Sequence, residues 1–169
     1  MVLERAPVNE IPALVAFDSV MVRTSKLAIA MSGVWVYRHG FEFNVVVRRR
    51  DPADRGRFWE SAAPLHGDRH EHEKLEIDVE YHRFGPESPA AGDVVIDTAP
   101  TVTRGPGGGT RYGLNILLYA APLPATSDVT IAVTWPAFAV PRTQTRLPGA
   151  ILRNAVARVI ELWPPALAE

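Results

Sequence analysis

Between Phe41 and Arg50 the apolar residues Phe41, Phe43, Val45 and Val47 fall two apart, and Glu42, Asn44, Arg48 and Arg50 take the other side. That period of two is what a strand with one buried face requires. The run before it, from Leu27, is equally β-rich, and the two meet at Arg38-His39-Gly40. Together they predict a hairpin closed by a three-residue loop, with Gly40 taking a positive φ. Gly33, inside the first strand, predicts a bulge or a close backbone approach. Leu75, Ile77, Val79 and Tyr81 alternate with Glu76, Asp78, Glu80 and His82 in a second clean strand. Shorter runs predict strands at Leu14–Phe17 with Val20–Arg23, interrupted around Asp18-Ser19, and at Val94–Asp97 and Thr101–Arg104. Arg111–Ala120 is apolar on both sides towards its end, which suggests a central strand. Val129, Ile131, Val133 and Trp135 alternate with Thr130, Ala132 and Thr134, after which Pro136 and Pro141 confine the chain to an edge or an irregular path.

The period changes once. Leu152, Val156, Val159, Ile160 and Trp163 recur at three- and four-residue spacing, predicting an amphipathic helix over 148–163, opened near Pro148 and stopped by Pro164-Pro165. Residues 1–12 read as a polar lead-in, and Asp51–Gly67, with its prolines, glycines and scattered charge, as a long loop. Seven or eight strands with Gly- and Pro-rich turns and one terminal helix predict a single all-β domain over 1–169, an antiparallel β-sandwich. Its expected core includes Trp35, Phe43, Val45, Leu75, Ile77, Val79, Leu114, Ile116, Ile131, Val133 and Ile160.

Composition narrows the chemistry. A chain of 169 residues can bury a sizeable core, and a formal charge of −1 gives no basic field for nucleic acid. There is no cysteine, which excludes disulfides, thiolate catalysis and cysteine-ligated metal. Glu4, Arg5 and Glu10 stand where a signal peptide needs an apolar run, and no stretch approaches a membrane span, so the expected compartment is the cytoplasm. No cofactor fingerprint and no nucleophile elbow occur.

The remaining candidates are few. His66, His70, His72 and His82 lie close together; an extended His70-x-His72 could chelate a divalent metal, with Glu71 or Glu80 supplying an oxygen, and would be the basis of any metal-dependent enzyme. A polar loop that tolerates histidine accounts for them more simply. The acidic run from Glu71 to Glu80 is explained by register, if the strand at 75–82 lies beside Phe41–Arg50 and sets Glu76 and Asp78 across from Arg48 and Arg50. Gly107, Gly108 and Gly109, flanked by Arg104 and Arg111, could converge their amides on an anion. Arg57, Phe58 and Trp59 in the long loop, with Arg104 and Arg111 beside the glycines, are residue types that carry interface energy, and loops on a rigid sandwich are where recognition sits.

The segments GVWVYRHGFEFNVVVR, RGPGGGTRYGLNILLYAAPLP and VTWPAFAVPRTQTRL, followed by a helix and Leu162-Trp163-Pro164, resemble a set of small uncharacterised actinobacterial proteins across about residues 20–165. The resemblance implies a β-sandwich with a polyglycine loop and a C-terminal helix, and brings no activity with it. The functional expectation is therefore a non-catalytic interaction or assembly module, without cofactor, acting on a protein partner or on a second copy of itself. A homodimer would use Phe138–Leu147 or the edge near Val94–Asp97. A carbohydrate- or anion-binding sandwich is the rival, with Trp59 or Tyr112 as the stacking surface.

Overall fold

The computed structural model describes residues 5–51, 55–62, 73–82 and 97–163. Within them the chain runs β1 (Glu10–Ile11), β2 (Ala13–Arg23), β3 (Leu27–Val36), β4 (Phe41–Arg49), α1 (Arg55–Ala62), β5 (Glu76–His82), β6 (Thr101–Arg104), β7 (Gly108–Thr110), β8 (Gly113–Ala121), β9 (Asp128–Trp135), β10 (Val140–Leu147), α2 (Gly149–Ala155) and β11 (Ile160–Glu161). All pairings are antiparallel. One sheet has the order β2-β3-β4-β8-β6, with β7 also on β8; a second has β10-β9-β5; a ribbon joins β1 to β11. The two larger sheets close on one core, in which Phe41, Phe43, Val45 and Val47 of β4 meet Val129, Ile131, Val133 and Trp135 of β9. Ser19 and Thr145 share a hydrogen bond of 2.9 Å where β2 and β10, an edge strand of each sheet, come together. The expected all-β sandwich is present, with eleven strands among the described residues in place of seven or eight. None of the described helices is long and apolar enough to cross a membrane.

The predicted hairpin is β3–β4, but its turn is built differently. Val36 faces Phe41, so four residues make the turn, closed by Tyr37 N–H donating to the Gly40 carbonyl at 2.8 Å. Gly40 has no positive φ; glycine is needed because a methyl there would lie 2.5 Å from the Tyr119 hydroxyl and 2.6 Å from the Ala120 carbonyl oxygen. Gly33 does have the left-handed backbone, φ 73°, and it is the extra residue between the Ser32–Asn44 and Val34–Phe43 pairs. β8 is central as its two-sided apolar pattern implied, with β4 on one side and β6 and β7 on the other.

Several expectations are corrected. The strand at 76–82 does not lie beside β4, whose edges are taken by β3 and β8; it pairs with β9. Its acids face Arg142 of β10, which reaches Asp78 at 2.5 Å and Glu80 at 2.7 Å, and not Arg48 or Arg50. The stretch 51–67 is not all loop, since α1 occupies its middle. The terminal helix does not run to 163. It ends at Ala155, continues as one 3₁₀ turn to Arg158, and gives way to β11. Backbone pairing wins there: Ile11 faces Ile160, and Asn9 clamps Trp163 by donating from Nδ2 to its carbonyl at 2.8 Å while Oδ1 accepts from its N–H at 2.9 Å. Ile160 is consequently 58% exposed and Trp163 63% exposed, so neither belongs to the core. The 1–12 segment is accordingly more than a lead-in, because β1 holds the other end of the chain. Trp35 lies outside the main core as well, half-buried against Tyr37, Tyr119 and Ala121. Of the strand expected at Val94–Asp97, 94–96 are outside the described residues and Asp97 is not in a strand.

Candidate site between helix α1 and the β6–β7 edge

β6 and β7 are two pieces of one edge strand along β8, interrupted at Pro106-Gly107, with Gly105 N–H donating to the Leu117 carbonyl at 2.8 Å between them. Helix α1 lies against the core side of this edge. Phe58, Ser61 and Ala62, three and four residues apart, form its buried stripe. The Phe58 ring is wholly buried against Trp135 and Trp59, both 5.5 Å between centroids, and Phe138 at 6.0 Å. Ser61 Oγ accepts from the Trp135 indole N–H at 3.1 Å, so a buried donor is satisfied from the helix. On the other side Trp59 stands over Gly109, where any Cβ would collide with its indole. Arg104 ties the strand to the end of the helix by donating to the Ala62 carbonyl at 3.2 Å.

Between helix and edge opens a cavity of about 230 Å³. Its floor is Leu114 and Ile116, which lie on the core face of β8 beside Val47 and Val45 of β4. Trp59 and Ala62 wall one side; Arg104 and the Gly105–Gly109 backbone form the other. Arg104 is the charge at this mouth, and burial lowers the pKa of its guanidinium from a value so high that it stays ionised.

The two segments singled out in the sequence, 51–67 and 104–111, thus do meet, though their residues divide. Trp59, Arg104, Gly107, Gly108 and Gly109 line the cavity. Phe58 does not face a partner; it is core, because the helix turns it inward. The side chain of Arg57 lies outside what is described. Arg111 is away from the cavity, its guanidinium 4.8 Å over the exposed Tyr112 ring. The glycines do not curl into an anion-binding concavity. Gly108 and Gly109 are extended and laddered to Asn115 and Leu114, and Gly33 is the positive-φ glycine among the described residues. His66, His70, His72 and Glu71 lie outside the described residues. His82 is an exposed strand end whose Nε2 meets Glu80 Oε2 at 2.8 Å, a contact that, with Arg142, holds the Glu80 carboxyl below its ordinary value. No group of three possible metal ligands forms among the described residues.

Sequence reasoning missed a second cavity, of about 470 Å³, on the solvent side of the six-stranded sheet. The register carries one row of residues across five strands: Leu14, Trp35, Glu42, Tyr119 and Thr103. Glu42 and Tyr119 border the cavity with Arg5, Ala6 and the stretch from Thr103 to Pro106, of which Arg104 turns its side chain to the opposite face, where it meets Ala62. Burial, helped by Glu10 and Glu42, pushes the Tyr119 phenol upward, and burial and the Glu42 hydrogen bond do the same to Tyr37. The only sequence signal was the outward position of Glu42 in an otherwise ordinary alternation. The chain matches no protein-family model, no curated protein and no solved structure.

Proposed function

We propose that this chain is a non-catalytic interaction module that receives an extended segment of a protein partner along β6, with one apolar side chain of that segment seated in the cavity beside Trp59. The observation that carries the reading is an open sheet edge with an apolar socket next to it. Since Gly105 N–H points to Leu117, the backbone groups of Thr101 and Thr103 also point to β8, and those of Val102 and Arg104 point away from it. No strand takes them up among the described residues. A partner strand would satisfy them, which is how extended peptides commonly add to sheets. The size of the socket agrees: small-molecule pockets run from about 300 to 1,000 Å³, and 230 Å³ suits one large side chain.

The test is selection from a displayed library of random decapeptides. Peptides enriched on the wild type should share one large apolar residue and lose binding at least tenfold to Trp59→Ala. They should lose it equally to Val102→Pro, which removes an outward amide while sparing the ladder to β8. Enrichment of nothing, binding unchanged by Val102→Pro, or glycans captured in place of peptides would overturn the proposal.

A second observation favours self-association. Ile11, Ile160 and Leu162 are exposed on the β1–β11 ribbon, with Trp163 at its end, and the ribbon holds them on paired backbone. Exposed apolar groups held this way mark an interaction surface more often than chance scatter.

A further inference from the structure

Elsewhere in this protein, unlike charges close on each other: Arg38 with Glu10 and Glu161, Arg142 with Asp78 and Glu80, Arg146 with Asp128. Arg104 has no such partner among the described residues. Its backbone belongs to the open edge of β6, and its side chain turns to the core side of the sheet, at the mouth of the 230 Å³ cavity beside Trp59. One guanidinium N–H goes to the Ala62 carbonyl at 3.2 Å and holds the group there, while its other donors have no acceptor among the described residues. A cation partly shielded from water and without a counter-charge is costly, and an anion brought by a ligand recovers that cost. The edge changes at the same place. Val102 and Arg104 offer outward N–H and C=O groups, but the next outward position is Pro106, which has no N–H to give. A segment laid along β6 therefore loses its ladder where the guanidinium stands.

Building on the peptide reading of this same site, we infer that the segment received along β6 is the free C-terminal end of its chain. It runs parallel to β6, with its last side chain, large and apolar, in the cavity beside Trp59 and its terminal carboxylate on Arg104. The direction follows from charge. A segment running the other way would end on an ammonium at this point, and Arg104 repels it. A segment that continued past Arg104 would meet the missing donor of Pro106 and leave the guanidinium facing neutral amides. A carboxylate ending there meets the unused guanidinium donors in charge-assisted hydrogen bonds, which are stronger than neutral ones.

Two displayed libraries of random decapeptides test it, one presenting a free C-terminus and one joined to its carrier through the C-terminus. The free-ended library should enrich sequences whose last residue is large and apolar, and the joined library should enrich none. The most enriched decapeptide, synthesised with a terminal carboxylate and with a terminal amide, should bind the full chain at least about tenfold more tightly as the acid, read by titration calorimetry. Arg104→Gln, which can still donate to the Ala62 carbonyl, should remove that difference and leave the affinity of the amide unchanged. Enrichment from the joined library, whether or not its peptides carry an internal acidic residue, would overturn the inference and leave the peptide reading standing. So would an acid and an amide that bind alike, or an Arg104→Gln variant that still prefers the acid. Enrichment from neither library would remove both.

Discussion

A single carboxylate shows how much one residue can organise. Asp97 stands where the described chain resumes and receives the Ala125 amide at 2.6 Å and the Ser127 amide at 2.7 Å, with the Thr126 amide and hydroxyl at 3.2 Å. It thereby fixes the turn between β8 and β9. Burial pushes its carboxyl upward, but the Ser127 hydroxyl and the three amides outweigh it and bring the pKa down from 3.8 to about 2. Because the folded value is the lower one, the stabilisation is complete above the ordinary aspartate range and is lost as pH falls through about 2. For a carboxylate this near solvent it is of order 1 kcal/mol. Asp97→Asn should therefore lower stability by roughly that amount at pH 7 and narrow the gap to wild type between pH 4 and pH 2, as followed by urea denaturation. A gap that stays constant down to pH 2 would show that the charge contributes nothing. Gly33, Gly40 and Gly109 make the complementary point. The sequence marks all three as glycine, but the first serves a positive φ, the second makes room for Tyr119 and the third for Trp59.

Helix α1 is the element that composition hid. It has eight residues, no acidic group in its first turn and no basic one in its last, and a helix this short is not stable alone. What holds it is Phe58, wholly buried among Trp135, Trp59 and Phe138, with the Arg49 guanidinium 4.5 Å over its ring. Phe58→Ala should cost about 3–5 kcal/mol and shift tryptophan emission, as Trp59 and Trp135 lose a common neighbour. A loss below about 1 kcal/mol with unchanged emission would mean that the helix docks by other contacts. The same dependence on partners shortens α2. Leu152 and Ala155 bury their side chains, but beyond Arg158 the ribbon with β1 offers backbone hydrogen bonds that another helical turn would forfeit.

At the scale of the whole molecule the open edges decide what the protein can join. β2 and β10 guard one another through Ser19 and Thr145, and Arg142 braces β5 across β9. The β6–β7 edge and the β1–β11 ribbon keep outward backbone or apolar side chains among the described residues. If the ribbon joins two copies, light scattering at micromolar concentration should give twice 18.6 kDa. Ile160→Lys should return the mass to that of one chain, with its circular dichroism unchanged. A wild type that is already a monomer would remove self-association and leave the peptide reading standing.

What the sequence determined by itself was local: which residues are extended, and which side of each strand is apolar. Phe43, Val45, Val79, Leu114, Ile116, Ile131 and Val133 are buried as their spacing required, with Leu75 and Ile77 packed against them, and Gly33 sits at the predicted bulge. A period of two records the buried face of a strand but not the identity of its neighbour, because ladder hydrogen bonds come from the backbone and are alike for every residue. The strand at 76–82 was therefore set beside the wrong partner, although its faces were read correctly. The same reason placed both cavities out of reach of the sequence. Trp59 and Arg104 were suspected singly, from residue type, and only the docking of α1 on the β6–β7 edge brought them to one mouth. Glu42, Tyr119 and Thr103 come from three distant segments, and the cavity they border exists only once β4, β8 and β6 lie side by side.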